Sequence, residues 1–290
     1  MMGYLFLGLA VFAGCAKGYA SKKISGKIVT AYSVSKVNFI RCLLCVLISL
    51  VPFLFSKGNA YVNYGLLWIP ALSGAATAVF LVMWMNAVRE GAYVTVSAFC
   101  NAGFILPLIG GILFWGEKLT VKSAAAVCMM SAAIVLLCRY NRSIKEKISR
   151  KTAVSLVLVL IMQGSSQFLQ KLYMVKQGDA AVYSLVCFIA SAAVLGSVLP
   201  FIKPKDEPSE QIPGTVYGYM VLMAAALFLS TYCQTLAADR MDAMLLYPLL
   251  NVLSISCSGI MSALCFGEKF RWESVCGMGM AMVAVTIYMG

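Results

Sequence analysis

The sequence contains no histidine, and only 11 aspartates and glutamates in 290 residues. Histidine is the commonest metal ligand and general base, so its absence removes the usual zinc sites and the Ser-His and Cys-His nucleophile pairs. Charge of either sign makes up 12% of residues, and a soluble surface needs roughly twice that. No Gly-x-x-x-x-Gly-Lys-Ser/Thr loop is present, so the chain has no phosphate cradle of its own with which to use ATP. No carboxylate interrupts the middle of an apolar run, since Glu90, Asp179, Asp239, Asp242 and Glu273 all stand at run ends.

Apolar residues are abundant, at 61%, and they come in long runs. A helix needs roughly 20 such residues to cross a hydrocarbon layer about 30 Å thick. The runs place ten spans at about 3–20, 31–55, 63–86, 92–115, 120–138, 152–174, 180–202, 215–237, 242–265 and 272–289. Lys17, Lys22 and Lys23 follow the first run instead of preceding it, which is unlike a cleaved secretory signal. A β-barrel would alternate apolar and polar residues, whereas Leu43–Phe55 is almost solidly apolar. The expected fold is therefore an all-α integral membrane protein of ten transmembrane helices. Most of the eleven cysteines lie inside spans, where they act as small hydrophobes. Cys42-Leu-Leu-Cys45 has redox or metal spacing but no second pair, so no metal or other cofactor is expected.

The net charge of +12 sits mostly in loops, where it sets orientation instead of marking a nucleic-acid partner. Numbering loops by the spans they join, odd loops carry 15 Lys and Arg and even loops carry 6. The odd side should be cytoplasmic, with both termini outside a plasma (inner) membrane and the basic linker 139–151 as the strongest anchor.

An internal repeat organises the chain. Phe114-Trp115-Gly116-Glu117-Lys118 returns 151 residues later as Cys265-Phe266-Gly267-Glu268-Lys269. At the same offset Arg89 meets Arg240 and Tyr32-Ser33 meets Tyr183-Ser184, while Pro52-Phe53 meets Pro200-Phe201 after a small slip. Residues 1–138 and 152–290 thus read as two five-helix repeats. An odd number of spans forces the second to enter from the opposite side, and inverted repeats are a recurring plan of secondary transporters.

These residues resemble the drug/metabolite transporter superfamily, in its ten-helix EamA-like branch, over essentially the whole chain. Gly14 with Gly18, Arg41 in Asn38-Phe39-Ile40-Arg41, Pro107, and Gly116-Glu117 follow the family's order for the first half. The second half keeps Gly164 and Gly267-Glu268. It departs at the arginine position, where Ala190 or Ser191 stands, and at Pro248, about nine residues early. The resemblance implies alternating access, with export as the more common direction. Small multidrug exporters of the superfamily exchange proton for cation at a first-helix carboxylate, and neither the first nor the sixth span has one.

Candidate solute-binding residues follow from depth. Gln163, Ser166, Gln167 and Gln170 recur at i, i+3, i+4 and i+7, on one face of the sixth span. Polar side chains there either line a pathway or tie helices together. Asn101 and Asn251 lie sixteen and seventeen residues before Glu117 and Glu268, near midplane, in spans interrupted by Pro107 and Pro248. Tyr247 is one turn from Asn251, Tyr232 and Gln234 add polar edges from the eighth span, and Trp84 offers either a flat wall or an interfacial anchor. Arg41 either snorkels to the cytoplasmic surface or meets an anionic group on the solute. Lys17 and Lys36 read as surface groups. Glu117 and Glu268, at helix ends, read as caps that complement a helix dipole.

The expected function is secondary transport of a small polar metabolite, amino-acid-like, zwitterionic or neutral. The expected partners are that solute and membrane lipid, with a monomer as the working unit and no enzymatic activity. Rivals are a flippase for lipid or lipid-linked head groups, which needs a cavity open sideways, and a channel, sensor or membrane enzyme.

Overall fold

Inside lipid every backbone N–H and C=O must find a partner within the protein, and uninterrupted apolar runs satisfy that demand as helices. A computed structural model of the chain describes residues 2–28, 30–55, 62–90, 93–117, 150–203 and 213–267, with scattered positions in 120–132 and 272–283. The helices are α1 (Met2–Ser25), α2 (Ala31–Phe55), α3 (Trp68–Glu90), α4 (Tyr93–Ala102), α5 (Ile105–Phe114), α6 (Arg150–Val175), α7 (Ala180–Ile202), α8 (Gly214–Arg240) and α9 (Ala243–Phe266). Tyr64–Leu66 forms a single 3₁₀ turn before α3. Among the described residues there are no strands, and eight spans are long and apolar enough to cross a membrane, α4 and α5 together counting as one. The chain is thus an all-helical, multi-pass membrane protein. The expected fifth and tenth spans lie largely outside the described residues, although the positions described there, Thr120 apart, are helical.

Two helices differ from expectation for local reasons. Helix α1 continues to Ser25, five residues past the expected edge, because Lys22 and Lys23 do not end a helix whose last turn they suit electrostatically. The fourth span breaks at Gly103-Phe104. Pro107 has no N–H to give the Gly103 carbonyl, which takes the Leu106 N–H at 3.1 Å instead, and the chain tightens to i→i+3 bonds around the break. Pro248 leaves α9 continuous, since it stands within the first two turns and removes only one rung.

The tightest packing joins helices from opposite sides of residue 150. Helix α1 lies along α8, α3 along α6 and α7, and α2 along α7 and α8, while α4 sits against α6 and α9. Glycine permits the closest crossings. A Cβ on Gly164 would collide with the Gly103 carbonyl, and one on Gly74 with the Cys187 carbonyl. Phe12, Leu54, Phe201 and Leu264 are each more than 70% exposed, whereas Asn38, Arg41 and Gln167 are 1% or less. Polar groups are gathered inside and apolar ones outside, the arrangement that lipid as solvent selects.

Candidate functional site

A cavity of about 100 Å³ lies at the centre of the bundle, between α1, α3 and α4 on one side and α6, α8 and α9 on the other. Many polar side chains line it, an expensive surface inside a membrane unless water or a ligand answers them. One water needs roughly 10–15 Å³ of such space, so several waters or a small solute fit. Pockets for drug-sized ligands run to about 300–1,000 Å³.

The glutamine stripe of α6 divides by what each amide touches. Gln170 donates to the Thr231 carbonyl at 3.2 Å and to Thr235 Oγ1 at 2.6 Å, tying α6 to α8. Gln167 also faces the cavity and is 1% exposed, yet among the described residues neither its Nε2 nor its Oε1 has a partner. A buried amide left so costs about 1–3 kcal/mol, which a hydrogen-bonding occupant would recover. Gln163 lines the same wall one turn away.

Asn101 and Asn251 enter the cavity wall from α4 and α9 with the same local geometry. Asn101 Nδ2 donates to the Ser97 carbonyl at 2.7 Å, and Asn251 Nδ2 to the Tyr247 carbonyl at 2.7 Å, each one turn back along its own helix. That bond fixes the amide plane and leaves each Oδ1 without a partner among the described residues. Gln234 and Trp84 also line the cavity, and the Trp84 indole Nε1, buried, has no acceptor among the described residues.

Three expected residues lie elsewhere. Tyr247 is fully buried behind the wall, where its hydroxyl donates to the Gln167 carbonyl at 2.8 Å. Tyr232 borders a separate pocket with Asp179 and Asp239, near the end of α8. Arg41 is fully buried but does not line the cavity. Its Nη1 reaches Asn38 Oδ1 at 3.5 Å, while Nε and Nη2 have no partner among the described residues.

Lys17 is the residue that the sequence hid. Its expected place was the surface end of the first span, but with α1 running to Ser25 it sits eight residues inside and lines the cavity. Its ammonium lies 5.6 Å from the centre of the Phe80 ring. Trp84 and Tyr93 stand beside it, edge to face at 6.2 Å. The only sequence signal was the absence of proline between Lys17 and Ser25, with Gly18 carried inside the helix. Below this end of the cavity Tyr19, Tyr93 and Phe266 form a continuous aromatic stack, with Lys23 over Tyr19 and Phe266.

Glu117 is a cap, for a helix far along the chain. Its two carboxylate oxygens accept from Ala243 N and Met244 N, both at 2.9 Å, at the start of α9. Gly116 before it takes φ +66°, and Gly267, its counterpart in the repeat, φ +64°, so glycine supplies a left-handed turn at both places. Glu268 lies outside the described residues. Lys171 donates to the carbonyls of Ala238 and Met241 at 2.9 and 2.7 Å, so the α8–α9 turn is held from both ends. Cys42 and Cys45 are buried free thiols, and no cluster of three metal-ligating side chains occurs among the described residues.

No family model matches the chain, and no curated protein matches it. One solved structure, described only as "Crystal structure of protein", superposes with a TM-score of 0.74 at 13% identity, over 99% of this chain and 96% of the other. At that identity the likeness speaks for the fold alone: the chain shares its whole helical architecture with a solved protein.

Proposed function

We propose that the protein is a secondary carrier for a small polar metabolite, built as two inverted halves in the manner of EamA-like drug/metabolite transporters. The observation that carries this reading is the central cavity, lined by polar side chains from both halves and holding a buried amide, Gln167, with no partner. A purely structural polar core would satisfy its own groups.

Several features support inversion. The first helix of each half packs on the third of the other, and the second on the second. The cavity draws on the first, third and fourth helices of both. Lys22 donates to the Val88 carbonyl at 2.9 Å as Lys171 does to that of Ala238, each bond tying the first helix of a half to the end of its third. Two alike bundles around a midplane site can exchange packings and so open it to either face in turn. The aromatic stack at Tyr19, Tyr93 and Phe266 would close the cytoplasmic mouth when the other is open.

Counterflow in proteoliposomes tests the proposal. Vesicles preloaded with an unlabelled solute should accumulate its labelled form saturably, for a discrete few members of a metabolite panel. Movement of fluorescent lipid between leaflets with no solute counterflow would instead establish a flippase, and neither activity would leave the carrier reading without support.

A further inference from the structure

Positive charge at the cavity is unanswered. Lys17 is the only charged side chain among the described residues that line it, and no carboxylate lines it. Behind the wall, Arg41 lies close enough to act electrostatically on Lys17, and is itself buried with two guanidinium nitrogens unpartnered. A half-buried cation and a buried one within electrostatic reach of each other, with no counter-ion among the described residues, are unfavourable in a low-dielectric interior. The Phe80 face offers Lys17 a cation–π contact, which is much weaker than an ion pair. Other polar groups of the cavity wall without partners among the described residues can also serve an acid. Trp84 Nε1 can only donate, and Gln167 Nε2 donates while its Oε1 accepts.

We propose that the solute is a small organic acid: its carboxylate pairs with Lys17 and takes the Trp84 N–H, and its remaining polar groups bond to Gln167 and the paired asparagines. The inference rests on the carrier reading for its purpose, but on Lys17, Trp84 and Gln167 for its chemistry. The volume of about 100 Å³ suits an acid of a few carbons. Organic cations are disfavoured, since they would meet a like charge with no carboxylate to answer it. Asp179 and Asp239 border a different pocket, and Asp239 is exposed to solvent, where screening limits its reach to about 10 Å.

The test is thermal stability and binding with purified full-length protein in nanodiscs. The probes are acetate, succinate, L-alanine, L-glutamate, inorganic phosphate, choline and tetramethylammonium, in discs with and without phosphatidylglycerol. At least one carboxylate should stabilise the parent while choline and tetramethylammonium do not. Lys17→Met should weaken that carboxylate tenfold or more, and Lys17→Arg should restore most of the loss. Trp84→Phe, which keeps the ring and removes the donor, should weaken it several-fold and serves if Lys17→Met does not fold. Stabilisation by cations alone, by phosphate alone or by phosphatidylglycerol alone overturns the proposal, as does equal binding by Lys17→Met or no response to any carboxylate. Counterflow separates the two readings. Carboxylate binding without flux removes the carrier and keeps the acid site, whereas flux of choline or another non-acid removes the acid site and keeps the carrier.

Discussion

Single side chains divide here into those that hold the bundle and those that face its cavity, and substitution should separate them. Gln170, bonded twice to α8, belongs to the first group. Gln170→Ala should lower the melting temperature whether or not solute is present, by the equivalent of about 1–2 kcal/mol. Gln167 belongs to the second, because it has no bond to lose. Gln167→Ala and Asn251→Ala should stay folded and monodisperse in size-exclusion chromatography while weakening solute binding about tenfold, or about 1.4 kcal/mol each. Calorimetry showing parent-like affinity in both would move the site elsewhere. Spacing alone put three glutamines on one face, but whether an amide faces a cavity or a threonine depends on the neighbouring helix, which no local pattern encodes. Tyr247 illustrates the same limit: its place one turn from Asn251 was legible, and its turn away from the cavity toward the Gln167 carbonyl was not.

At the scale of helices, apolar run length gave the eight described spans to within a few residues, because lipid leaves the backbone so few choices. Ends and interruptions were harder. Pro107 signalled a break that fell four residues earlier, at the carbonyl it fails to serve, whereas Pro248 signalled one that did not occur. The break at Gly103 has a second use, since it brings bare backbone against Gly164 beside the cavity wall. Gly164→Ala should therefore overpack this crossing, at about 1–3 kcal/mol, with lower yield and an earlier melt. Gly8→Ala, which meets nothing within 4 Å, is the matched control and should melt like the parent. Equal melting of the two variants would show that α4 and α6 can separate freely at this point.

For the whole molecule, orientation comes from loop charge. Lys17 and Lys171 prove to be interior groups, but each side of the count loses one, so the basic excess keeps its sign. A lone cysteine at Ser143, in the basic linker outside the described residues, should resist an impermeant thiol reagent in intact cells. Ready labelling would exchange inside and outside throughout. The matching turns Gly116-Glu117 and Gly267-Glu268 were legible in the sequence, but the use of Glu117 was not. A turn motif suggests service to its own neighbour, and the carboxylate instead reaches 126 residues along the chain to the start of α9. Glu117→Gln should cost about 1–2 kcal/mol of stability while leaving solute affinity within a few-fold. That reach also bears on how the protein is made. Synthesis delivers Glu117 to the membrane long before Ala243 and Met244 leave the ribosome, at about 5–20 residues per second. For those seconds the newborn first half carries an acidic group awaiting its amides, so the early intermediate should be the species most exposed to quality-control proteolysis, and completion of α9 the event that ends the exposure.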